Sequence, residues 1–221
     1  MTRLFVTGTG TDIGKSFVTA VLAKRARRAG RSVSAVKPVA SGFQMAALAQ
    51  SDPVILLAAQ GLGPESLDRI APWRFAAPLS PDMAAAREGR SIDFAALTSY
   101  CRQLLDGPDE IVLIEGVGGV MVPLDSRHTV LDWIAVLGAP AILVAGSYLG
   151  TISHTLTALG MLDLRGCAVR AIVVSESIES PVALDETAAA IGRFAGAAEI
   201  LTIRRFPDDA ALAVLDPLIA R

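Results

Sequence analysis

The chain has 221 residues, of which 52% are hydrophobic and 19% charged, with a formal net charge of −2 at pH 7. That length and apolar content suffice for one full core, so a single domain over residues 1–221 is expected in place of two half-domains. The near-neutral balance excludes a broad basic field for nucleic acid or an anionic membrane surface, and makes small molecules the expected partners.

Nothing in the sequence approaches the run of about 18 apolar residues that a membrane span needs, and Met1–Val6 is too short for the apolar region of a signal peptide. A cytoplasmic protein is expected. The two cysteines, Cys101 and Cys167, lack CxxC or Cys/His ligand spacing and read as reduced thiols, with neither zinc nor disulfide.

Short runs rich in Val and Ile recur at 4–7, 32–36, 111–114, 141–145, 170–174 and 199–203, each suited to a strand buried on both faces. Segments of helical length and period lie between or after them, at 15–28, 93–105, 129–137, 152–163, 181–194 and 208–220. This alternation predicts an α/β fold with a mainly parallel sheet and helices on both faces. Ser51-Asp52-Pro53 offers a capping side chain followed by proline in the first turn, and Ser91-Ile92-Asp93 offers another cap. The segment from Pro38 to Gly89 has no clear strand, so loops and short helices are expected there.

Gly8-Thr-Gly-Thr-Asp-Ile-Gly14-Lys15-Ser16 joins the first strand to the first helix. In a P-loop, backbone N–H groups wrap phosphate oxygens and the helix dipole faces the same anion. Lys15 would then reach the β- and γ-phosphates, and the Ser16 hydroxyl would ligate Mg²⁺. The general pattern GxxxxGK[ST] puts its first glycine at Thr9, so this loop is one residue longer between Gly8 and Gly14.

Two further elements point to the same sheet edge. The strand 111–114 runs into Glu115-Gly-Val-Gly-Gly119, and an acid at the end of a core strand beside a P-loop can share the metal that Ser16 touches. It can also be an ordinary strand end turned by glycines. Lys37, in Val36-Lys-Pro-Val-Ala-Ser-Gly42, leaves the second strand at that edge. A solvated lysine is the usual fate of such a residue; pointing into the cleft, it would be a second cation for a transferring phosphoryl group.

With these segments in order, and with Ser51-Asp52, Phe75-Ala-Ala-Pro-Leu-Ser-Pro81 and Leu149-Gly-Thr-Ile-Ser-His154, the chain resembles the dethiobiotin synthetase family from Val6 to about His154. The displaced first glycine is itself a feature of that family. The resemblance implies a P-loop fold and a MgATP-dependent ligase of biotin synthesis. Its substrates would be 7,8-diaminononanoate and CO₂, joined through a phosphorylated carbamate to close the ureido ring of dethiobiotin.

By position, the resemblance makes Lys15 and Lys37 catalytic and sets Ser16, Asp52 and Glu115 around Mg²⁺. Asp12, Ile13, Gly14, Lys15, Ser16 and Phe17, with Glu115, Gly116, Val117 and Gly118, would line the triphosphate. Thr11 and Ser41 would contact substrate. It also implies a homodimer in which Gly150, Thr151, Ile152 and Ser153 cap the substrate carboxylate of the neighbouring subunit.

The chain departs from the family pattern at Asp82, where histidine is usual, and at Ser153, where asparagine is common. The usual proline after the last strand is absent near Arg204. Ser175 stands where the family reads the adenine edge with asparagine, and one hydroxyl cannot make the paired contact of an amide. Weak discrimination among nucleoside triphosphates is therefore expected.

Three rival readings are less well matched. Switch ATPases of the partitioning class add a lysine early in the loop, which Gly8-Thr-Gly-Thr11 lacks. Amide-forming synthetases acting on cobalamin-type substrates usually add a glutaminase domain that 221 residues cannot hold. A non-catalytic nucleotide-binding module needs neither Lys37 nor Asp52. His128 and His154 suit surface or capping roles, and Trp73 and Trp133 suit packing.

Overall fold

The computed structural model describes residues 1–44 and 51–220. A six-stranded sheet forms the centre, and every pairing in it is parallel. Its strands are β1 (Thr2–Gly8), β2 (Val33–Val36), β5 (Ile111–Glu115), β6 (Ala141–Ala145), β7 (Val169–Ser175) and β8 (Glu199–Ile203). The order β2-β5-β1-β6-β7-β8 puts β1 in the interior, with its neighbours added on either side by later crossovers. The carboxyl edge next to β1 is where such a sheet opens a crevice.

Alternation along the strands separates two cores. Leu4, Val6, Leu113, Ile142 and Val144 face α1 (Lys15–Arg28) and the 3₁₀ segment Ala211–Leu218. Phe5, Val112, Ile114, Leu143 and Ile172 face α5 (Phe94–Leu105), α6 (Val130–Leu137), α7 (Thr151–Leu164) and α8 (Leu184–Gly192). Trp133 is fully buried edge-on to Phe5, with ring centroids 4.9 Å apart. It is a packing residue, as expected.

The segment 38–89 holds more regular structure than its sequence suggests. Val39–Ser41 (β3) and Trp73–Phe75 (β4) pair in parallel as a second, two-stranded sheet. Around them lie α2 (Asp52–Gln60), α3 (Leu67–Ile70) and α4 (Pro81–Arg87). Strands of three residues between prolines leave no alternation to read. Their pairing comes from tertiary context, including Trp73 N–H donating to Pro38 O at 3.0 Å.

Helix ends were partly legible. Asp93 caps α5 by accepting from Ala96 N–H at 3.0 Å, and Thr129 with Asp132 forms a reciprocal capping box on α6. Ser51 occupies the N-cap of α2 without a side-chain capping bond, so that expectation fails. The expected helix at 181–194 contracts to α8, and the one at 208–220 is the 3₁₀ turn Ala211–Leu218 because Pro217 lies inside it.

Strand β2 lies at one margin of the main sheet. Gln60, at the end of α2, accepts from Ala35 N–H and donates to Ala35 O, both at 2.8 Å. A buried side-chain amide thus takes the place of a further strand, and ties α2 to the strand that leads into Lys37.

Candidate active site

The turn from β1 into α1 folds back over the carboxyl end of its own strand. Gly14 holds the N-cap position at φ 98°, and Asp12 is also left-handed at φ 56°. A Cβ on Gly8 would lie 2.6 Å from Ile13 Cδ1 and 3.1 Å from Val144 O, so any side chain there would crowd the return. No side chain caps α1 and its first turn has no acid, which leaves its positive end for an external anion.

The loop after β5 supports this turn. Val120 N–H donates to Gly8 O at 3.1 Å. A Cβ on Gly119 would stand 3.1 Å from Thr9 O, so the two backbones are already in contact. The glycines after Glu115 allow that approach.

Register brings the charged groups together. Val36 is paired with Ile114, so Lys37 and Glu115 emerge side by side at the ends of β2 and β5. Lys37 Nζ lies 2.6 Å from Glu115 Oε1 and 3.0 Å from Asp52 Oδ2. Ser16 Oγ–H donates to the same Glu115 oxygen at 2.6 Å. Lys15 Nζ donates to Gly10 O at 2.5 Å, inside its own loop.

Burial makes these charges strong. Lys37 and Glu115 are 4% and 0% exposed. Burial alone would lower the Lys37 pKa, but the Glu115 and Asp52 carboxylates outweigh it and hold it above the ordinary lysine value. Burial opposes the Asp52 carboxylate too, yet Lys37, the Ser16 hydroxyl and Lys15 keep its pKa below the usual range. Lys15 donates to a backbone carbonyl instead of a carboxylate. Burial first and Lys37 second push it down to about 8, against weaker pulls from Glu115, Asp52 and Asp12.

A cleft of about 700 Å³ opens over this cluster. Thr11, Asp12, Gly14, Lys15, Ser16, Phe17, Lys37, Ser41, Asp52, Val117 and Gly118 line it. Ile55, Pro78, Leu79, Pro81 and Val122 supply an apolar wall that sequence reasoning did not assign. Its only signal was the Phe75–Pro81 segment, whose prolines set the loop against the cleft.

A second cavity, of about 630 Å³, shares Asp12, Gly14 and Phe17 with the first and continues past Ile13 to Ser175. Its far wall comes from Tyr148, residues 176–179 and Arg205–Pro207, none of them assigned from sequence. Gly150, Thr151, Ile152 and Ser153 line neither cavity. They form the N-terminus of α7, where the buried Thr151 hydroxyl donates to Gly146 O at 2.7 Å.

Among the described residues, no three His, Cys, Asp or Glu side chains gather as a metal cage. The oxygen groups gathered around Lys37 are the Glu115 and Asp52 carboxylates, with the Ser16 hydroxyl on Glu115. Glu115 Oε2 is buried without a hydrogen-bond partner, an arrangement that suits an oxygen-seeking cation. Neither histidine lies here: His128 pairs with Asp125 at 2.9 Å and stacks on Phe94, and His154 meets Tyr148 OH at 2.9 Å.

Residues 2–208 match a family model described as an AAA domain. An ATP-dependent dethiobiotin synthetase BioD from Caulobacter vibrioides (strain NA1000 / CB15N) is 47% identical over 221 residues, covering 100% of both chains. One from Acidiphilium cryptum (strain JF-5) is 48% identical over 200 residues, or 89% of this chain and 90% of the relative.

Two solved structures share the fold at low identity. The MinC:MinD cell division protein complex of Aquifex aeolicus gives a TM-score of 0.55 at 12% identity, covering 97% of this chain and 86% of that one. A nucleotide-binding protein in complex with ADP from Archaeoglobus fulgidus gives 0.52 at 15% identity, covering 99% and 86%. The fold is that of the P-loop nucleoside triphosphatases, and by identity and coverage the chain belongs to the ATP-dependent dethiobiotin synthetase family.

Proposed function

We propose that this chain is an ATP-dependent cyclo-ligase, a single domain over 1–221. It carboxylates 7,8-diaminononanoate with CO₂ and closes the ureido ring, giving dethiobiotin, ADP and phosphate through a phosphorylated carbamate. The observation that carries the reading is Lys37, which sits between Glu115 and Asp52 beside the P-loop lysine. A nucleotide switch needs no second buried cation at that place. A ligase that gathers carbamate and phosphoryl oxygens does.

In this reading Asp12, Ile13, Gly14, Lys15, Ser16 and Phe17 hold the triphosphate, with Gly116, Val117 and Gly118 along its side and Ser175 toward its base. Ser16, Asp52 and Glu115 hold Mg²⁺, which supplies charge neutralisation at the phosphates. Their oxygens fit it, and the unpartnered Glu115 Oε2 is the clearest sign. Lys37 already occupies the cationic place between the two carboxylates. Lys15 leaves Gly10 O to meet the anion, and Lys37 neutralises the carbamate oxygens. Thr11 and Ser41 orient the diamine.

Gly150, Thr151, Ile152 and Ser153 serve the neighbouring subunit of a homodimer by presenting the α7 N-terminus to the substrate carboxylate. Leu149, 85% exposed beside this turn, is consistent with a covered surface. No helix among the described residues is long and apolar enough to cross a membrane, in keeping with a cytoplasmic enzyme.

The test supplies diaminononanoate, bicarbonate and MgATP and measures phosphate release. Release that depends on all three, with dethiobiotin as product, is expected; release independent of the diamine would overturn the ligase reading. Lys37→Gln is expected to abolish ligation and leave nucleotide binding largely intact.

A further inference from the structure

We propose that Gln60 is a positioning residue for the reaction: its amide, bonded to the backbone of β2, sets the height of α2 and thereby places the Asp52 carboxylate against Lys37. The inference rests on the ligase reading for the use made of Asp52, and on the hydrogen bonds of Gln60 for the placement.

Lys37 is anchored where it stands. Val36 before it is paired with Ile114 on the inner side of β2, and Lys37 N–H donates to Ile70 O at 3.0 Å on the outer side. Its side chain is only 5% exposed. Asp52 is in a different position, because it opens α2 with a side chain 45% exposed. Packing around the carboxylate does not hold it. Its polar contacts with Lys37 and Ser16 do, together with the helix that carries it.

Gln60 closes the other end of that helix. It is 7% exposed, and its amide is fully used: Oε1 accepts from Ala35 N–H at 2.8 Å, and Nε2 donates to Ala35 O at 2.8 Å and to Leu56 O at 3.0 Å. Successive residues of a strand turn their backbone groups to alternate sides, so Ala35 and Lys37 share the outer margin of β2 while Val36 faces β5. Gln60 thus grips the strand two residues before Lys37. Eight helical steps of 1.5 Å put Asp52 about 12 Å along α2 from that grip.

Apolar packing by itself would leave the helix free to slide. Leu56 and Leu57 bury α2 in the core, but the burial of apolar surface is non-directional and tolerates a small shift along the axis or a small turn about it. A donor and an acceptor engaged on one residue of the strand tolerate neither, since both bonds weaken as soon as the angle or the distance changes. β2, Lys37, Asp52, α2 and Gln60 form a ring closed by two polar contacts, so a displacement at Gln60 reappears at Asp52.

The effect is selective. The Lys37–Glu115 contact follows from the pairing of β2 with β5 and does not pass through α2. Loss of the Gln60 amide should therefore part Lys37 from Asp52 and leave Lys37 on Glu115.

The test has a spectroscopic arm and a kinetic arm, both on the whole chain. In the first, heteronuclear NMR of the lysine ammonium groups is recorded without ligands. Gln60→Met, which keeps the length of the side chain and removes its amide, is expected to shift the Lys37 ammonium signal in the same way as Asp52→Asn, and the double variant should show no further shift. In the second, Gln60→Met is expected to lower kcat about tenfold to a hundredfold, the scale of a misplacement of about 1 Å, with affinity for inorganic triphosphate unchanged. Asp52→Asn in that background should cost little more. Leu57→Val loosens the packing of the same helix without touching the amide, and should lower the melting temperature while keeping kcat within about twofold of the parent.

A Lys37 signal unmoved by Gln60→Met, or effects of Gln60→Met and Asp52→Asn on kcat that multiply, would overturn the positioning role and leave the ligase reading standing. A loss of kcat in Leu57→Val equal to that in Gln60→Met would also overturn it, because general loosening of α2 would then suffice. Failure of the parent to release phosphate in response to the diamine would overturn the ligase reading, and the NMR arm would still decide whether Gln60 places Asp52.

Discussion

Lys37 and Glu115 meet at 2.6 Å because β2 and β5 are paired in register up to the residues just before them, Val36 and Ile114. The contact is therefore a property of the sheet, and the loops around the cleft do not set it. Two opposite charges held this deep bind each other strongly and are expensive to separate.

Lys37→Met should accordingly leave Glu115 buried beside Ser16 without its hydrogen-bonded counter-charge and lower stability by about 3–5 kcal/mol. Replacing Glu115 by glutamine in that background should recover most of the loss. Urea unfolding of the two single variants and the double variant gives the coupling directly. Additive effects would mean that the pair is not held together in solution.

Lys15 yields a prediction of opposite sign for stability and for binding. Its folded pKa of about 8 lies below the ordinary 10.5, so between those values the unfolded chain binds more protons. This residue should make stability rise with pH through that interval. Triphosphate affinity should instead fall as pH rises past about 8, because the free protein loses the Lys15 charge. Titrations near pH 9 in buffers of different ionisation enthalpy should show proton uptake on binding, and Lys15→Met should abolish it.

Gly119→Ala tests the support given to the phosphate loop by the loop after β5. The added methyl meets Thr9 O at 3.1 Å, a backbone atom with little room to move. Nucleotide affinity should drop about tenfold, with a stability loss of about 1–2 kcal/mol. Gly160→Ala in α7 is the control: nothing lies within 4 Å of its Cβ, so it should stabilise by about 0.5–1 kcal/mol.

Gln60→Ala should cost about 2–3 kcal/mol, since Ala35 N–H and Ala35 O both lose a buried partner. Hydrogen exchange at Ala35 is the sharper readout. It should accelerate well beyond that of Leu4 in the sheet interior.

The phosphate loop, Lys37 and Glu115 were legible because each belongs to a short run of sequence with its own signal: a glycine turn, a strand leaving its sheet, an acid closing an apolar run. Asp52 was found through the family resemblance, and the structure places it 3.0 Å from Lys37. Apart from Ser175, which the family resemblance named, the wall of the second cavity was not legible. Ser175 ends β7, Arg205 follows β8 and Tyr148 follows β6, so three loops far apart in sequence meet only when the strands are ordered. β3 and β4 escaped detection for a related reason, since three residues carry too little periodicity to separate a strand from a loop.

Gln60 has a consequence beyond local stability. An all-parallel sheet with apolar strands ends in rows of backbone groups that invite a foreign chain to add on. At Ala35 that invitation is already answered by the chain's own glutamine, whose amide presents the donor and acceptor of one peptide unit. The margin that carries the charged cluster is thereby guarded against edge-to-edge aggregation without a charge or a proline being placed on the strand itself.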